Sequence, residues 1–263
     1  MRTSPEHVWE HRKEHGPVGL VMPCFNEAAR LDPAGLCEAL RVRPWLHLLV
    51  VDDGSTDATP SRLEALREAA PPGQVSILTL ERNQGKAEAV RRGLLTLLAR
   101  GGFDALGFWD ADLSTPLSAV DRLWGALAED PRRELVLGSR VRLLGRPVER
   151  RALRHYGGRV IATLISLGLD LPVYDSQCGA KLLAVTPGLP SLLERPFSSR
   201  WLFDMELLSR WLHAHPGDAW VHGLYEVPLP TWVHATGSKL APVDALRAPL
   251  DVLAISLRHR RRR

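Results

Sequence analysis

Residues 105–112 read ALGFWDAD, an apolar run that leads directly into the carboxylates Asp110 and Asp112. Such a run predicts a buried strand, and the two acids follow where that strand would reach solvent. Carboxylate oxygens are the ligands that Mg²⁺ and Mn²⁺ favour, and these cations often share them with substrate phosphates. We therefore predict that Asp110 and Asp112 hold a divalent cation.

The same layout occurs upstream, where residues 50–53, VVDD, end in Asp52 and Asp53. Ligands of open parallel sheets bind beyond the carboxyl ends of the strands, and both acid pairs fall at such ends. Two acid-tipped strands with helical segments between them predict a site for a metal-bound nucleotide diphosphate. The alternative for Asp52 and Asp53 is a turn followed by a helix cap.

Strand-like and helical patterns alternate through the first half of the chain. The predicted strands are 18–22, 45–51, 75–80, 105–109 and 135–139, and the predicted helices are 28–42, one from Asp57 or Thr59 to Pro71, 87–101 and 117–129. This alternation predicts an α/β fold with a mostly parallel sheet and helices on both faces.

The second half is less regular. Its predicted elements are a long amphipathic helix over 153–167, a strand at 180–185, a helix at 203–213 and a strand at 219–229. The sequence has no internal repeat and no low-complexity linker, which favours a single domain.

The positive charge of the chain is concentrated at its C-terminus. The chain has 34 basic and 30 acidic residues, and its net charge is +4. Five of the 34 are arginines within residues 258–263, which leaves 29 basic against 30 acidic side chains elsewhere. A body so close to neutral lacks the basic surplus that nucleic-acid binding needs.

Apolar residues recur at helical spacing just before these arginines. They are Val243, Leu246, Leu250, Leu253 and Leu257. An apolar stripe joined to clustered arginines predicts a helix on an anionic membrane surface, which Pro249 would kink or restart. The alternative is a helix that packs on the domain and continues into a basic tail.

The cysteines Cys24, Cys37 and Cys178 have neither disulfide nor zinc-site spacing, which favours a reducing cytoplasm. Residues 1–15 lack the apolar core of a signal peptide, and no run reaches the ~18 apolar residues of a membrane span. We therefore expect a cytoplasmic protein without an integral membrane segment, either free or peripheral on the cytoplasmic face of the membrane.

Residues beside the acid pairs have chemistry suited to a nucleotide. Phe25 could stack on a nucleobase and Glu27 could accept a ribose hydroxyl proton, although a helix entry capped by Asn26 explains the same residues. Lys86 follows Gly85 at a predicted helix N-terminus, where a phosphate would bind, and an exposed first-turn lysine is the alternative. The sequence lacks the Walker A and G-x-G-x-x-G patterns, which removes the main support for ATPase and dinucleotide-binding functions.

Arginines crowd residues 140–159, which contain a single acid. Arginine suits bidentate phosphate binding, and we single out Arg140 because it directly follows a predicted strand end. The other arginines could form a solvated helix face. Asp175, Asp204 and Glu206 could each be a general base or a sugar-hydroxyl anchor, or could be structural.

Eight short segments carry these candidates in a fixed order. They are PCFNE (23–27), VDDGSTD (51–57), NQGK (83–86), DADLS (110–114), GSR (138–140), DSQCGAK (175–181), RWLFDMELL (200–208) and GSKL (237–240). Together they resemble the family-2 glycosyltransferases with the Rossmann-like GT-A fold. The resemblance covers roughly residues 18–240 and is nearest to the dolichyl- and polyprenyl-phosphate β-glucosyltransferases and their mannosyl relatives.

The resemblance implies a set of donor-binding residues. They are Pro23, Phe25, Asn26, Glu27, Asp52, Asp53, Lys86, Asp110, Ala111 and Asp112. Asp110 and Asp112 would hold Mg²⁺ or Mn²⁺ on the diphosphate, and the metal would stabilise the leaving UDP or GDP. The acceptor would attack from the opposite face and invert the anomeric configuration.

The resemblance also implies an acceptor site, formed by Arg140, Arg151, Glu206 and Lys239. A lipid phosphate is already a nucleophile and needs no base, whereas a hydroxyl acceptor would make Asp204 or Asp175 the base. The candidate catalytic residues are therefore Asp112, Arg140, Asp204 and Asp175.

Two departures from the family pattern bear on the acceptor. The branch usually carries membrane anchors and this sequence contains none, so a lipid acceptor depends on the helix and tail at 243–263. Phe197 replaces the glutamine of the Q-x-x-R-W motif found in processive enzymes, which argues against polymer synthesis.

We thus expect an inverting, metal-dependent glycosyltransferase that moves glucose from UDP-glucose to a polyprenyl-phosphate-like lipid. Residues 1–16 would form a polar arm, 17–240 the GT-A domain and 241–263 an amphipathic helix and basic tail. Within the domain, 17–140 would be the nucleotide-sugar half and 141–240 the acceptor half. The alternatives are a soluble hydroxyl acceptor, a sugar-nucleotidyltransferase and a non-catalytic nucleotide-sugar binder.

Overall fold

One seven-stranded sheet organises the computed structural model, which describes residues 16–141, 152–232 and 242–260. Its strands are β1 (Val18–Cys24), β2 (Leu46–Asp52), β3 (Val75–Thr79), β4 (Ala105–Trp109), β5 (Leu135–Ser139), β6 (Ala180–Ala184) and β7 (Leu224–Pro228). They lie in the order β3-β2-β1-β4-β6-β5-β7, and β6 alone runs antiparallel to its neighbours. The predicted mostly parallel sheet is confirmed.

Helices cover both faces of this sheet. They are α1 (Pro33–Arg41), α2 (Thr59–Ala69), α3 (Lys86–Arg100), α4 (Val120–Glu129), α5 (Ala152–Leu169), α6 (Leu189–Leu193), α7 (Phe203–Ala214), α8 (Trp220–Gly223) and α9 (Pro242–Arg260). Helices α1, α2 and α4 pack on one face, and α3, α5, α6, α7 and α9 pack on the other. The predicted single α/β domain with two helical layers is therefore confirmed.

The central strands are buried along their whole lengths, which explains their continuous apolar sequences. Every residue of β2, β4, β5 and β6 is buried, whereas the edge strands β3 and β7 are partly exposed. A strand covered by helices on both faces has no solvent side, so it shows no polar alternation.

The strand register places both acid pairs at one edge of the sheet. Strand β1 pairs with β2 so that Cys24 lies opposite Asp52, and it pairs in parallel with β4 as well. The carboxyl ends of these three strands therefore lie together. Because β6 is antiparallel and pairs Ala180 with Trp109, its amino end lies at this same edge. The loop before β6 thus joins the acid-tipped strands.

The predicted helix at 28–42 begins later than expected. Residues 28–30 form a turn, and α1 starts at Pro33, where the Asp32 side chain accepts a hydrogen bond from the N–H of Gly35 at 3.0 Å. An acceptor at the cap and a proline in the first turn together set a helix start. The apolar spacing alone did not locate it.

The predicted strand at 219–229 is wrong in its first half. Trp220–Gly223 forms the short helix α8, and β7 begins only at Leu224. Strand β5 starts at Leu135, which lies opposite Leu224, and before this pair the N–H of Glu134 donates to the carbonyl of Gly223 at 2.9 Å, where α8 ends. The short helix α6 was also not predicted.

Helix α9 has features of both alternatives predicted for the C-terminal apolar stripe, since it packs on the domain and also exposes part of the stripe. It is a single helix with Pro249 inside it. Val252 and Ile255 are buried against the domain, whereas Leu250, Leu253 and Leu257 of the predicted stripe are exposed. None of the helices in the described part of the chain is long and apolar enough to span a bilayer.

We predict that Gly107→Ala destabilises the fold, because a Cβ on this β4 residue would collide with the backbone carbonyl of Lys181 on β6. Overpacking of this kind costs about 1–3 kcal/mol, measurable by urea denaturation. Gly125→Ala on α4 is the matched control, since a Cβ there meets nothing within 4 Å. A helical Gly→Ala change stabilises by about 0.5–1 kcal/mol. Equal stability of the two variants would contradict the close β4–β6 packing.

Candidate active site

The predicted metal-binding acids lie on a tight turn at the end of β4. The N–H of Asp110 donates to the carbonyl of Gly179 at 3.0 Å, which extends the pairing of β4 with β6. The N–H of Ser114 donates to the Asp112 carboxylate at 2.9 Å, and Leu113 has a left-handed backbone with φ of 48°. These contacts fix both carboxylates at the carboxyl edge of the sheet.

Lys86, the first residue of α3, brings a positive charge to this turn. Its Nζ lies 2.5 Å from Oδ1 of Asp110, and both side chains are partly exposed. Burial lowers the pKa of Lys86, but the charges of Asp110 and Asp204 outweigh that effect and raise the pKa above its ordinary value. A charged lysine at a helix N-terminus is well suited to a phosphate group.

Asp52 and Asp53 are buried, and backbone N–H groups donate to both carboxylates. Asp53 accepts from the N–H groups of Gln84 at 2.7 Å and Gly85 at 2.8 Å, in the loop before α3. Asp52 accepts from the N–H of Ser55 at 3.0 Å. Burial raises the pKa of Asp53, and the two N–H donors oppose this rise. Both acids thus shape the backbone around the site, and a direct contact with nucleotide stays a prediction.

The turn after β1 holds the residues predicted to meet the nucleobase. Glu27 is buried, and Arg30 donates to both of its carboxylate oxygens at 2.8 and 2.6 Å. Asn26 has a left-handed backbone with φ of 52° and accepts from the N–H of Thr56 at 2.8 Å. Asn26 therefore ties this turn to the loop after β2. Its interpretation as a helix cap is wrong, since α1 begins only at Pro33.

Arg140 and Asp175 form a two-point ion pair beside the end of β5. The guanidinium Nε and Nη2 lie 2.6 and 2.7 Å from the two carboxylate oxygens of Asp175, and the N–H of Arg140 donates at 3.0 Å. Glu226 of β7 accepts the N–H groups of Tyr174 and Asp175 at 2.7 and 2.8 Å, which fixes this loop. Burial lowers the pKa of Arg140, but the negative charge of Asp175 raises it well above its usual range.

Asp204 and Lys181 form a second ion pair, inside the domain. Lys181 is fully buried, and its Nζ lies 2.5 Å from Oδ1 of Asp204 and 2.5 Å from the carbonyl of Cys178. Burial raises the pKa of Asp204 above its ordinary value, and the opposing effect of Lys181 and Lys86 is smaller. Charges thus alternate in the series Asp110, Lys86, Asp204 and Lys181, which links the donor half to the acceptor half.

Glu206 is held away from these residues. Its carboxylate accepts from the N–H and hydroxyl of Ser198 at 2.8 and 2.7 Å and from Arg210 at 2.9 Å. Burial raises its pKa, but these donors lower it below the ordinary value. The structure therefore does not bring Glu206 together with the other predicted site residues.

The remaining candidates divide by position. Pro23 lies within β1, half-buried Phe25 follows that strand, and Ala111 is buried in the turn between the two metal-binding acids. Arg151 and Lys239, which were predicted to bind the acceptor, lie outside the described residues.

A protein-family model, Glycosyl transferase family 2, matches residues 20–183 of the chain. The chain belongs to this family. This family-2 glycosyltransferase is 27% identical to dolichyl-phosphate beta-glucosyltransferase of Dictyostelium discoideum, over 92% of this chain and 74% of that protein. It is 30% identical to the Drosophila melanogaster protein of the same name, over 86% of this chain and 69% of that protein.

The fold is similar to that of a solved glycosyltransferase. A crystal structure of glucosyl-3-phosphoglycerate synthase from Mycobacterium tuberculosis, in complex with Mn²⁺, UDP and phosphoglyceric acid, superimposes with a TM-score of 0.66. The two sequences are 22% identical, and the match covers 97% of this chain and 82% of the other. The GT-A fold expected from the sequence motifs is thereby confirmed.

The donor set of this glycosyltransferase fits Mg²⁺ or Mn²⁺. Among the described residues, no three His, Cys, Asp or Glu side chains are grouped so that they could hold one metal ion. Mg²⁺ commonly takes one or two carboxylates from the protein and the rest of its ligands from substrate phosphates and water. Asp110 and Asp112 suit a cation that binds together with a diphosphate. Gly179 leaves the necessary room, since a Cβ there would occupy the space of the Asp110 carboxylate.

Sequence reasoning gave no role to several residues at this edge. They are Arg30, Gly179, Lys181, Arg200 and Glu226. Arg200 donates to the side chain of Asn83 at 2.5 Å and packs against Gly85, which braces the loop before α3. Gly179, Lys181 and Arg200 lie inside the motif segments, so the motifs could have indicated them. Arg30 and Glu226 lie outside every segment, and only the fold reveals their contacts.

We predict that Gly179→Ala weakens metal-dependent UDP binding, because the new Cβ must displace the Asp110 carboxylate. Disturbing the surroundings of a metal ligand costs roughly 10–100-fold in affinity, which calorimetric titration of UDP with Mn²⁺ would measure. Gly188→Ala is the control, since its Cβ would meet only Thr186 Oγ1 at 3.8 Å. Unchanged affinity in folded Gly179→Ala protein would contradict the proposed position of the cation.

Proposed function

We propose that this enzyme transfers glucose from UDP-glucose to a polyprenyl-phosphate-like lipid, with inversion at the anomeric carbon and with Mg²⁺ or Mn²⁺. Similarity to dolichyl-phosphate beta-glucosyltransferases over most of the chain supports the sugar and the acceptor. The likeness in fold to an enzyme crystallised with Mn²⁺ and UDP supports the donor and the metal. A lipid acceptor would place the enzyme at a membrane surface, and we propose that this is the cytoplasmic face.

The ion pairs formed by the two candidate bases, Asp175 and Asp204, favour one kind of acceptor over the other. Asp175 is held by Arg140 through both carboxylate oxygens, and Asp204 is buried against Lys181. Taking a proton from an acceptor hydroxyl would neutralise either carboxylate and leave its cationic partner without a counter-charge, which disfavours that step. A phosphate acceptor avoids the problem, since its oxygens are already anionic at neutral pH. The arrangement therefore favours a phosphate over a hydroxyl.

In the proposed reaction, Lys86 and the N-terminus of α3 bind the donor diphosphate. A cation held by Asp110 and Asp112 would supply Lewis-acid stabilisation of the leaving UDP. An oxygen of the acceptor phosphate attacks the anomeric carbon, and the bond between that carbon and the UDP oxygen breaks on the opposite side. Asp175 orients the Arg140 guanidinium through Nε and Nη2, which leaves Nη1 to bind the acceptor phosphate.

A soluble hydroxyl acceptor is the second candidate. The likeness in fold to a synthase crystallised with phosphoglyceric acid favours it. For such an acceptor, Asp175 or Asp204 would act as the base and take up a proton beside Arg140 or Lys181. Sugar-nucleotidyl transfer would release pyrophosphate instead, and membership of a glycosyltransferase family gives it no support.

We predict that UDP and UDP-glucose raise the melting temperature with Mn²⁺ but not with EDTA, whereas GDP and GDP-mannose have no effect. A ligand specific for the native state adds about 2.7 kcal/mol of stability at 100 times its dissociation constant. Asp112→Ala should abolish both the shift and the transfer while the protein stays folded. Asp218→Ala, at an exposed position outside the site, is the control. A normal Mn²⁺-dependent shift in Asp112→Ala would rule out the metal assignment.

The acceptor is tested with radiolabelled UDP-glucose and a matched pair of lipids, polyprenyl phosphate and the same polyprenol without its phosphate. We expect label to enter only the phosphorylated lipid, as an acid-labile glucosyl phosphodiester. Transfer to the polyprenol, or to phosphoglyceric acid but to neither lipid, would establish a hydroxyl acceptor instead.

A further inference from the structure

Helices α5 and α9 leave large apolar side chains exposed to solvent. They are Val160, Leu164 and Leu167 on α5, and Leu250, Leu253 and Leu257 on α9. On α5 these side chains are 39–67% exposed and on α9 they are 48–67% exposed. Their spacings, 160–164–167 and 250–253–257, place each set on one side of its helix. We call these six residues the outer face.

The outer face belongs to helices that are anchored to the domain by their other sides. Ile165 of α5 and Val252 and Ile255 of α9 are buried in the core beneath them. The two helices also touch, because a Cβ on Gly168 of α5 would collide with the Ser256 hydroxyl of α9. The outer face is thus presented by a fixed helix pair.

Arginines are concentrated in the sequence that adjoins the outer face. Residues 252–263 contain five arginines and no acid, and residues 150–159 contain four arginines and no acid. Residues 160–169, which carry the α5 part of the face, contain no charged residue. These two segments hold nine of the 34 basic residues, and the rest of the chain has 25 basic against 30 acidic residues, so positive charge is concentrated in the sequence next to the exposed apolar side chains.

We propose that the outer face of α5 and α9 is the surface by which this protein lies on an anionic membrane. An apolar stripe flanked by arginines binds a bilayer by burying apolar area and by attraction to acidic headgroups, which adds about 1 kcal/mol per basic residue. A second copy of the chain fits less well. A symmetric interface would bring the arginine-rich segments of both copies close together, where like charges repel.

The role of this membrane-binding surface rests on the proposed function, because an enzyme that glucosylates a lipid phosphate must reach that lipid at the membrane. The chain order supports the connection. Arg140 lies at the start of the arginine-rich segment that leads into α5, and the GSKL segment at 237–240 immediately precedes α9. Both helices of the docking surface thus follow directly, along the chain, from predicted acceptor-binding residues.

Vesicle binding by the full chain, without donor or acceptor, tests the proposal. The probes are vesicles of phosphatidylcholine alone and vesicles that also contain phosphatidylglycerol. Leu167→Asp alters the α5 part of the outer face and Leu253→Asp the α9 part. Val42→Asp is the matched control, an apolar residue that is 68% exposed after α1 and lies outside the outer face.

We expect each outer-face variant to bind acidic vesicles at least roughly tenfold more weakly than the unaltered protein, because each loses the burial of a leucine. Val42→Asp should bind normally, and phosphatidylcholine alone should bind at least roughly tenfold more weakly than acidic vesicles. All variants should keep their melting temperature and their Mn²⁺-dependent response to UDP, since the altered side chains are exposed.

Several results would overturn the proposal. Normal vesicle binding by Leu167→Asp would show that α5 is not part of the membrane-binding surface. Equal binding to neutral and acidic vesicles would show that the arginines do not contribute to binding. A protein that ignores vesicles but is a dimer, and that both outer-face variants convert to monomers, would make the outer face a self-association surface. Vesicle binding by an enzyme that glucosylates only soluble acceptors would refute the proposed acceptor and leave this inference standing.

Discussion

The insertion of β6 between β4 and β5 is the constraint on which the candidate site depends. Strand β4 ends at this edge of the sheet at Trp109, directly before Asp110, and β6 begins there because it runs the opposite way. The bond from the N–H of Asp110 to the carbonyl of Gly179 joins the two chain segments. A parallel strand in the place of β6 would put its carboxyl end here and carry the 175–179 loop to the far edge. Antiparallel pairing thus brings acceptor-half residues next to the donor acids.

The close approach also explains the alternating charges beneath the turn. A fully buried lysine such as Lys181 carries a desolvation penalty of several kcal/mol, which Asp204 and a backbone carbonyl offset. Asp204 in turn lies near enough to Lys86 to influence its pKa. A cation at Asp110 would compete with Lys86 for the same carboxylate. Asp204 and the incoming diphosphate then supply the negative charge that keeps Lys86 compensated.

The parts of the fold that the sequence predicted are those determined locally. Buried parallel strands read as continuous apolar runs, so most of the strands and the acid pairs at their ends could be located. The direction of β6 could not, because it depends on pairing with β4, whose residues lie far away in the chain. The failure at 219–223 has the same origin, since that segment looks strand-like but its pairing with β5 begins only at Leu224.

The candidate site shows the same division between local and distant information. The motifs identified four polar site residues one by one, without their contacts to each other: Lys86, Arg140, Asp175 and Asp204. Nothing in the local sequence indicates that Arg140 binds Asp175, 35 residues away. The sequence also gave no sign that the Glu206 carboxylate accepts hydrogen bonds from Ser198 and Arg210. Ion pairs between distant segments decide which of the candidate carboxylates is available, and they exist only once the chain has folded.

These ion pairs impose an energetic condition on the acceptor. Breaking a buried pair so that one charge is left unpaired costs about 3–5 kcal/mol, which corresponds to roughly 10²–10⁴-fold in rate if each catalytic cycle must include it. A hydroxyl acceptor that needs Asp175 or Asp204 as its base would meet that barrier. An anionic phosphate meets none of it, because Arg140 can bind the phosphate through Nη1 while it keeps both bonds to Asp175. The ion pair then orients the guanidinium for the acceptor, so the contact that disables Asp175 as a base makes Arg140 a better phosphate ligand.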